Sequence, residues 1–318
     1  MDEVRIGVIG AGVLGSYHLG KCLMNKDVRL CGFYDANPDR RRAVNDTFSV
    51  KAYSGLADLI GDVQALIIAT PCSSHYEIAL QCLGAGKHAL IEKPLAASYR
   101  EGAELVAMAQ EKDVILHVGH SEAFNAAFTR LQSLQPVPRF IEVHRLALYS
   151  PRGTDVPVVL DLMVHDLQLI MRLCGEEPIY ERIAATGVPV ISHDIDIANV
   201  RMAFPSGCVA NLTASRISAK RMRKIRIFAP GNYFSVNLDK GEIDRYSLTP
   251  DAGAPGGTPF TFAQEKVAAI DALEMELRAF VEDIREKTNR RGVGGKEALV
   301  VLKAADVILG LLSSGKKS

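Results

Sequence analysis

At 318 residues, with 48% apolar and 23% charged side chains, the chain is long enough for two domains with cores of their own. Its 37 Lys and Arg balance 37 Asp and Glu, which removes the overall positive field that a nucleic-acid or anionic-membrane partner would need. No early apolar stretch has the form of a signal peptide, and none reaches the roughly 18 uninterrupted apolar residues of a membrane span, so a cytoplasmic location is expected. The cysteines at positions 22, 31, 72, 82, 174 and 208 show no paired spacing, so neither a metal site nor a disulfide framework is expected.

In chain order, Val4, Ile6, Val8 and Ile9 predict a buried strand that stops at Gly10-x-Gly12-x-x-Gly15. The residues after Gly12 open a helix that runs through His18 to Met24. In such a turn Gly10 permits the tight bend, Gly12 lets backbone approach a pyrophosphate and Gly15 allows close helix-to-sheet contact. A second strand, Val28 to Tyr34, ends at Asp35, whose carboxylate suits the ribose hydroxyls of an adenosine and repels a 2′-phosphate. NAD is therefore expected rather than NADP, although Arg40, Arg41 and Arg42 could accommodate that phosphate. The expected cofactor contacts here are Gly10, Gly12, Val13, Leu14, Gly15, Asp35 and Arg40.

Further on, helices are predicted from Arg40 to Asp46, Leu56 to Ile60, Tyr76 to Leu83 and Tyr99 to Lys112. Strands are predicted at Ala65 to Ala69, His88 to Ile91 and Val114 to Val118. This alternation indicates a doubly wound parallel sheet, a Rossmann domain over residues 1–120, with ligands at the strand carboxyl ends. Thr70-Pro71, Glu92-Lys93-Pro94 and Gly119-His120 fall at such ends.

Beyond residue 120 the pattern changes to an α/β domain over 121–318. A helix from Phe124 to Leu134, a strand from Phe140 to Tyr149 and a helix from Val158 to Leu173 come first. Strand-like runs follow at 179–186, 195–204, 208–217, 223–228 and 233–238, punctuated by turn residues, and predict a largely antiparallel open sheet. Residues 249–259 read as a loop, 265–287 and 296–312 as closing helices that can pack back on the first domain. Asp161 and His165, four apart in a predicted helix, share a face. With Lys93 they make a plausible proton relay for a bound alcohol as hydride leaves its carbon. The alternatives are a surface charge for Lys93, an N-cap for Asp161 and a core histidine for His165.

Taken together, the glycine turn, Thr70-Pro71 with His75, Glu92-Lys93-Pro94, Gly119 leading to Phe124-Asn125, and Asp161-x-x-x-His165-Asp166 resemble the glucose-fructose oxidoreductase and inositol dehydrogenase family (Gfo/Idh/MocA) across essentially the whole chain. The resemblance implies that Lys93, Asp161 and His165 are catalytic, with His165 or Lys93 handling the substrate proton. It implies that Thr70, Pro71, His75 and Glu92 line the cofactor, and that the protein forms a homodimer or homotetramer. Where members often carry Arg-Phe-Asn, this chain has Ala123-Phe124-Asn125, one cation fewer.

Within the family, residues 118–120, 161–166 and 211–216 look most like the branch that oxidises the 3-hydroxyl of UDP-N-acetylglucosamine to a ketone, a step before amination in making amide-linked lipid A. Arg145, Arg152, Arg216 and the run Lys220 to Arg226 could supply the cations that a sugar-nucleotide diphosphate needs. His120 and Asn125 complete the expected substrate set. The loop from Tyr149 to Pro157 could order over a substrate. Two other readings keep their place: a dehydrogenase of a free polyol or monosaccharide, and a dinucleotide-sensing regulatory protein without catalysis.

Overall fold

The computed structural model describes residues 3–149, 156–249 and 259–314. The chain divides into two compact units, Met1–Ser121 with Asp271–Leu302, and Glu122–Ile270 with Lys303–Ser318.

In the first unit, strands β1 (Val4–Ile9), β2 (Val28–Tyr34), β3 (Ala65–Ile68), β4 (His88–Glu92) and β5 (Leu116–Gly119) alternate with helices α1 (Val13–Met24), α2 (Pro38–Phe48), α3 (Leu56–Asp62), α4 (His75–Gly84) and α5 (Tyr99–Glu111). All four strand pairings are parallel, in the order β2-β1-β3-β4-β5. β3 is buried along its whole length, as a strand covered on both faces must be, and its all-apolar sequence follows from that. The order reverses between β1 and β3, which opens a crevice at their carboxyl ends.

The second unit opens with α6 (Ala126–Ser133) and β6 (Phe140–Leu146). The predicted helix from Val158 is a single π turn, Val159–Met163, that passes into α7 (Val164–Cys174). Strands β7 (Ala184–Val188), β8 (Ile197–Ala203), β9 (Val209–Ser215), β10 (Met222–Ala229), β11 (Asn232–Asn237), β12 (Glu242–Leu248) and β13 (Phe260–Lys266) follow. They form one eight-stranded sheet ordered β13-β12-β11-β10-β6-β9-β8-β7, antiparallel except where β6 meets β9. Along β6 burial alternates residue by residue, so Ile141, Val143 and Arg145 share the covered face.

The structure departs from the expected elements at three places. β12 and β13 are strands that the sequence does not predict, and Glu265 and Lys266 close a strand instead of opening a helix. The first part of the run expected at 179–186 is a 3-10 turn, Tyr180–Arg182.

Two helices end the chain, α8 (Ala272–Glu286) and α9 (Gly295–Ser314). Asp271 starts α8 by accepting the Glu274 N–H at 3.0 Å. Leu277, Phe280 and Val281 of α8 enter the core of the first unit beside Leu19 and Cys22 of α1.

Candidate active site

The three glycines of the first turn do different work. Gly10 has φ +86°, and a Cβ there would stand 2.6 Å from the Ala69 carbonyl oxygen at the end of β3. At Gly15 a Cβ would collide with the Gly10 carbonyl oxygen, so this position seats α1 against the turn. At Gly12 an added Cβ would meet no protein atom within 4 Å, which leaves open space in front of the turn. The first helical hydrogen bond runs from Ser16 N–H to the Gly12 carbonyl, so the amides before it lack an intrahelical partner. Val13 and Leu14, in the same turn, are 48% and 39% exposed. An anion fits this cradle.

Asp35 follows β2 on the same side. Its Oδ2 accepts from Ala11 N–H and its Oδ1 from Asn37 N–H, each at 2.8 Å, and Arg40 donates to Oδ2 at 3.3 Å. Arg40 is placed by the start of α2, where the Asn37 side chain accepts from the backbone N–H groups of Asp39 and Arg40. The carboxylate is thus held in a fixed orientation at the end of the sheet, as recognition of a ribose diol requires.

Thr70 and Pro71 follow β3, and Lys93 directly follows β4 in a half-buried position before a cis Pro94. His75 is buried, with Nδ1 2.8 Å from the Pro94 carbonyl and Nε2 2.9 Å from the Thr70 carbonyl. It ties these two strand-end loops together. Glu92 is turned inward as well: His18 Nε2 donates to its Oε1 at 2.7 Å. His120, just past β5, is also buried.

In the second unit the π turn carries Asp161 and leads into His165, and both are half-buried. Asp166, the next residue, faces the sheet, where Arg145 grips it with Nε at 3.0 Å from both carboxylate oxygens and Nη2 at 2.8 Å from Oδ1. Burial alone would lower the Arg145 pKa, but Asp166 and Glu122 hold it charged and raise it. Arg216 is equally buried, donating to Asp196 Oδ1 at 3.0 Å and to the Val156 and Ile195 carbonyls. Both cations expected to meet a diphosphate are thus buried and already matched to carboxylates. Asn125 is likewise engaged: its side chain caps α6 at Ala127 and Phe128 and donates to the Leu238 carbonyl at 3.1 Å. Arg152, and most of the loop expected to order over substrate, lie outside the described residues. Of the basic run, Arg223 is paired with Glu122 and Asp239, and Arg226 with Glu142.

A phosphate cradle, a strand-end acid and a switch-point crevice define a dinucleotide-binding protein. Its class is confirmed by comparison: residues 4–120 match the NAD-binding Rossmann fold of an oxidoreductase family, and residues 147–244 match that family's C-terminal domain. The chain belongs to the Gfo/Idh/MocA oxidoreductase family, and it is a dehydrogenase. It is 36% identical to a UDP-N-acetylglucosamine 3-dehydrogenase of Acidithiobacillus ferrooxidans over 89% of this chain and 90% of that one. A solved structure of that enzyme superposes with a TM-score of 0.91, covering 100% of both chains at 33% identity. A myo-inositol 2-dehydrogenase of Thermotoga maritima is 28% identical over 95% of each chain. No helix among the described residues is long and apolar enough to cross a membrane.

Proposed function

We propose that this dehydrogenase uses NAD to oxidise the 3-hydroxyl of UDP-N-acetylglucosamine to the ketone. The observation that carries this reading is the 36% identity, over nearly the full length of both chains, to an enzyme of that activity. When bound, the nicotinamide accepts the hydride from the carbinol carbon. The chain's part is to hold the dinucleotide through the glycine turn and Asp35 and to remove the hydroxyl proton. Proton removal is assigned to Lys93, Asp161 and His165, with His165 or Lys93 taking the proton and Asp161 supporting the charge that appears. In this reading the 3-keto sugar goes on to amination for amide-linked lipid A, in the cytoplasm.

The test offers UDP-N-acetylglucosamine, myo-inositol and glucose in parallel, follows NAD reduction and includes a carbonyl trap. Reduction with the nucleotide sugar alone is expected. Reduction with a free sugar alone would replace the reading by the second one, oxidation of a polyol or monosaccharide. The burial of Arg145 and Arg216 favours that second reading, since it takes two fixed cations away from a diphosphate.

For the cofactor, Asp35→Ala is expected to weaken NAD more than NADP. The change removes the acceptor for the ribose hydroxyls and leaves the Arg40 guanidinium without its carboxylate. Titration calorimetry with each dinucleotide measures this, and an unchanged preference removes the ribose role.

We also infer self-association through the eight-stranded sheet. Phe140, Phe228, Tyr233, Tyr246 and Phe262 lie directly opposite one another on five successive strands. They form a cross-strand aromatic row in which Phe228 and Phe262 are exposed. A face of this kind suits a two-fold partner, as the homodimer or homotetramer expectation requires.

A further inference from the structure

Behind the turn of Glu92, Lys93 and Pro94, the first unit buries three titratable side chains together. His18 comes from α1, Glu92 from the end of β4 and Glu276 from α8; they are 0%, 7% and 1% exposed. A ligand-type atom of each lies within 4.8 Å of those of the other two. His18 and Glu92 are joined by their 2.7 Å hydrogen bond, but no hydrogen-bond donor among the described residues reaches either carboxyl oxygen of Glu276. Lys21 of α1 is taken by Asp271 and Glu274, and His117 of β5 by Asp283, so the neighbouring cationic groups on these elements are directed elsewhere.

Two buried carboxylates facing one imidazole carry a net negative charge even when the imidazole is protonated, and an uncompensated buried charge is costly. Either a cation or a proton can relieve it. Donor atoms around a small cation sit about 2 Å from it and so about 3 Å or more from one another. The 2.7 Å contact of His18 with Glu92 is tighter than that and has the length of a hydrogen bond.

We propose that Glu276 is a neutral carboxylic acid that donates to Glu92, and that this proton makes it a positioning residue for the Glu92-Lys93 turn. Burial, with the Glu92 charge next to it, pushes the Glu276 carboxyl well above its ordinary range. With a folded pKa above the unfolded one, the folded state binds the extra proton, and stability falls as pH rises through the window between the two values. Above that window each further pH unit lowers the protonated population about tenfold. Gln in place of Glu276 keeps a donor and has no proton to lose, whereas Leu fills space and donates nothing.

The experiment compares wild type, E276Q and E276L by melting temperature and by calorimetric NAD binding from about pH 5 to about pH 9. Infrared difference spectra of wild type against E276Q at neutral pH accompany it. Expected are a protonated-carboxyl band present only in the wild type, an alkaline loss of stability and NAD binding in the wild type that E276Q lacks, and weakened NAD binding at every pH in E276L. The same alkaline loss in wild type and E276Q would overturn the proposal. So would an absent carboxyl band, or a stoichiometric metal ion in the purified protein by elemental analysis.

Discussion

Lys93→Ala is expected to lower turnover by at least about 10³-fold while NAD affinity stays close to that of the wild type, because positioned proton transfer is worth roughly 10² to 10⁴ in rate and orientation of the substrate adds to it. The two halves of the prediction rest on where the contacts lie. The glycine turn is at the end of β1 and Asp35 at the end of β2, whereas Lys93 follows β4, separated from β1 by β3. Removing its side chain therefore leaves the cradle and Asp35 untouched. Lys93→Arg separates two roles within the same position. An Arg keeps the cation but does not give up a proton near neutral pH, so a Lys that moves the proton is not replaced by it. Steady-state kinetics with calorimetric NAD binding on both variants measures this. Inactive Lys93→Arg assigns the proton to Lys93, recovery by Arg assigns it to His165, and near-normal turnover of Lys93→Ala removes Lys93 from the mechanism.

The dinucleotide unit was legible because its physics is local. An all-apolar run, a glycine turn and a strand-end acid each announce themselves within a few residues, and the parallel sheet follows from their alternation. β12 and β13 were missed for the opposite reason. Glu242, Asp244 and Arg245 load β12 with charge, and every residue of β13 is exposed or half-buried, so neither strand has the apolar run that marks a central strand. What pairs them is a partner strand, through contacts such as Gln264 Nε2 donating to Asp244 Oδ1 at 2.8 Å, which no window of sequence contains.

At the site, periodicity followed through the charged residues marks which of them the fold buries. Arg145 continues the alternation of Ile141 and Val143, and Arg216 that of Ala210, Leu212 and Ala214, so each falls on a buried face by its position alone. The same holds for Glu276, which lies beside Leu277 and one turn from Phe280 on the apolar stripe of α8. A charged residue in phase with a core stripe signals a buried pair or a held proton rather than a free surface group. The π turn under Asp161 had no such signal; it packs against β9, a neighbour that no local window of sequence contains.

A second large effect is expected for Arg145→Met, where such a buried pair is broken. Arg145 and Asp166 are 3% and 2% exposed, and Glu122 lies 3.5 Å from the same guanidinium. Removing the cation leaves Asp166 buried without its counter-charge, so urea denaturation at neutral pH should show a loss of about 3–5 kcal/mol. Desolvation already raises the Asp166 carboxyl, and it acts unopposed by Arg145 in the variant. The variant's folded state then binds a proton more tightly than its unfolded state, so the deficit grows as pH rises from the ordinary carboxylate range and shrinks as pH falls. Arg145→Met with Asp166→Leu removes both charges and should recover most of the loss, because a buried ion pair replaced whole by apolar side chains is often neutral in stability. A double variant as unstable as the single one would mean that the cost lies in packing rather than in the stranded charge. Because Asp166 is the residue after His165, the single variant is also expected to lose turnover beyond what its folded fraction explains, and activity measured per folded molecule tests whether this ion pair holds the His165 turn in place.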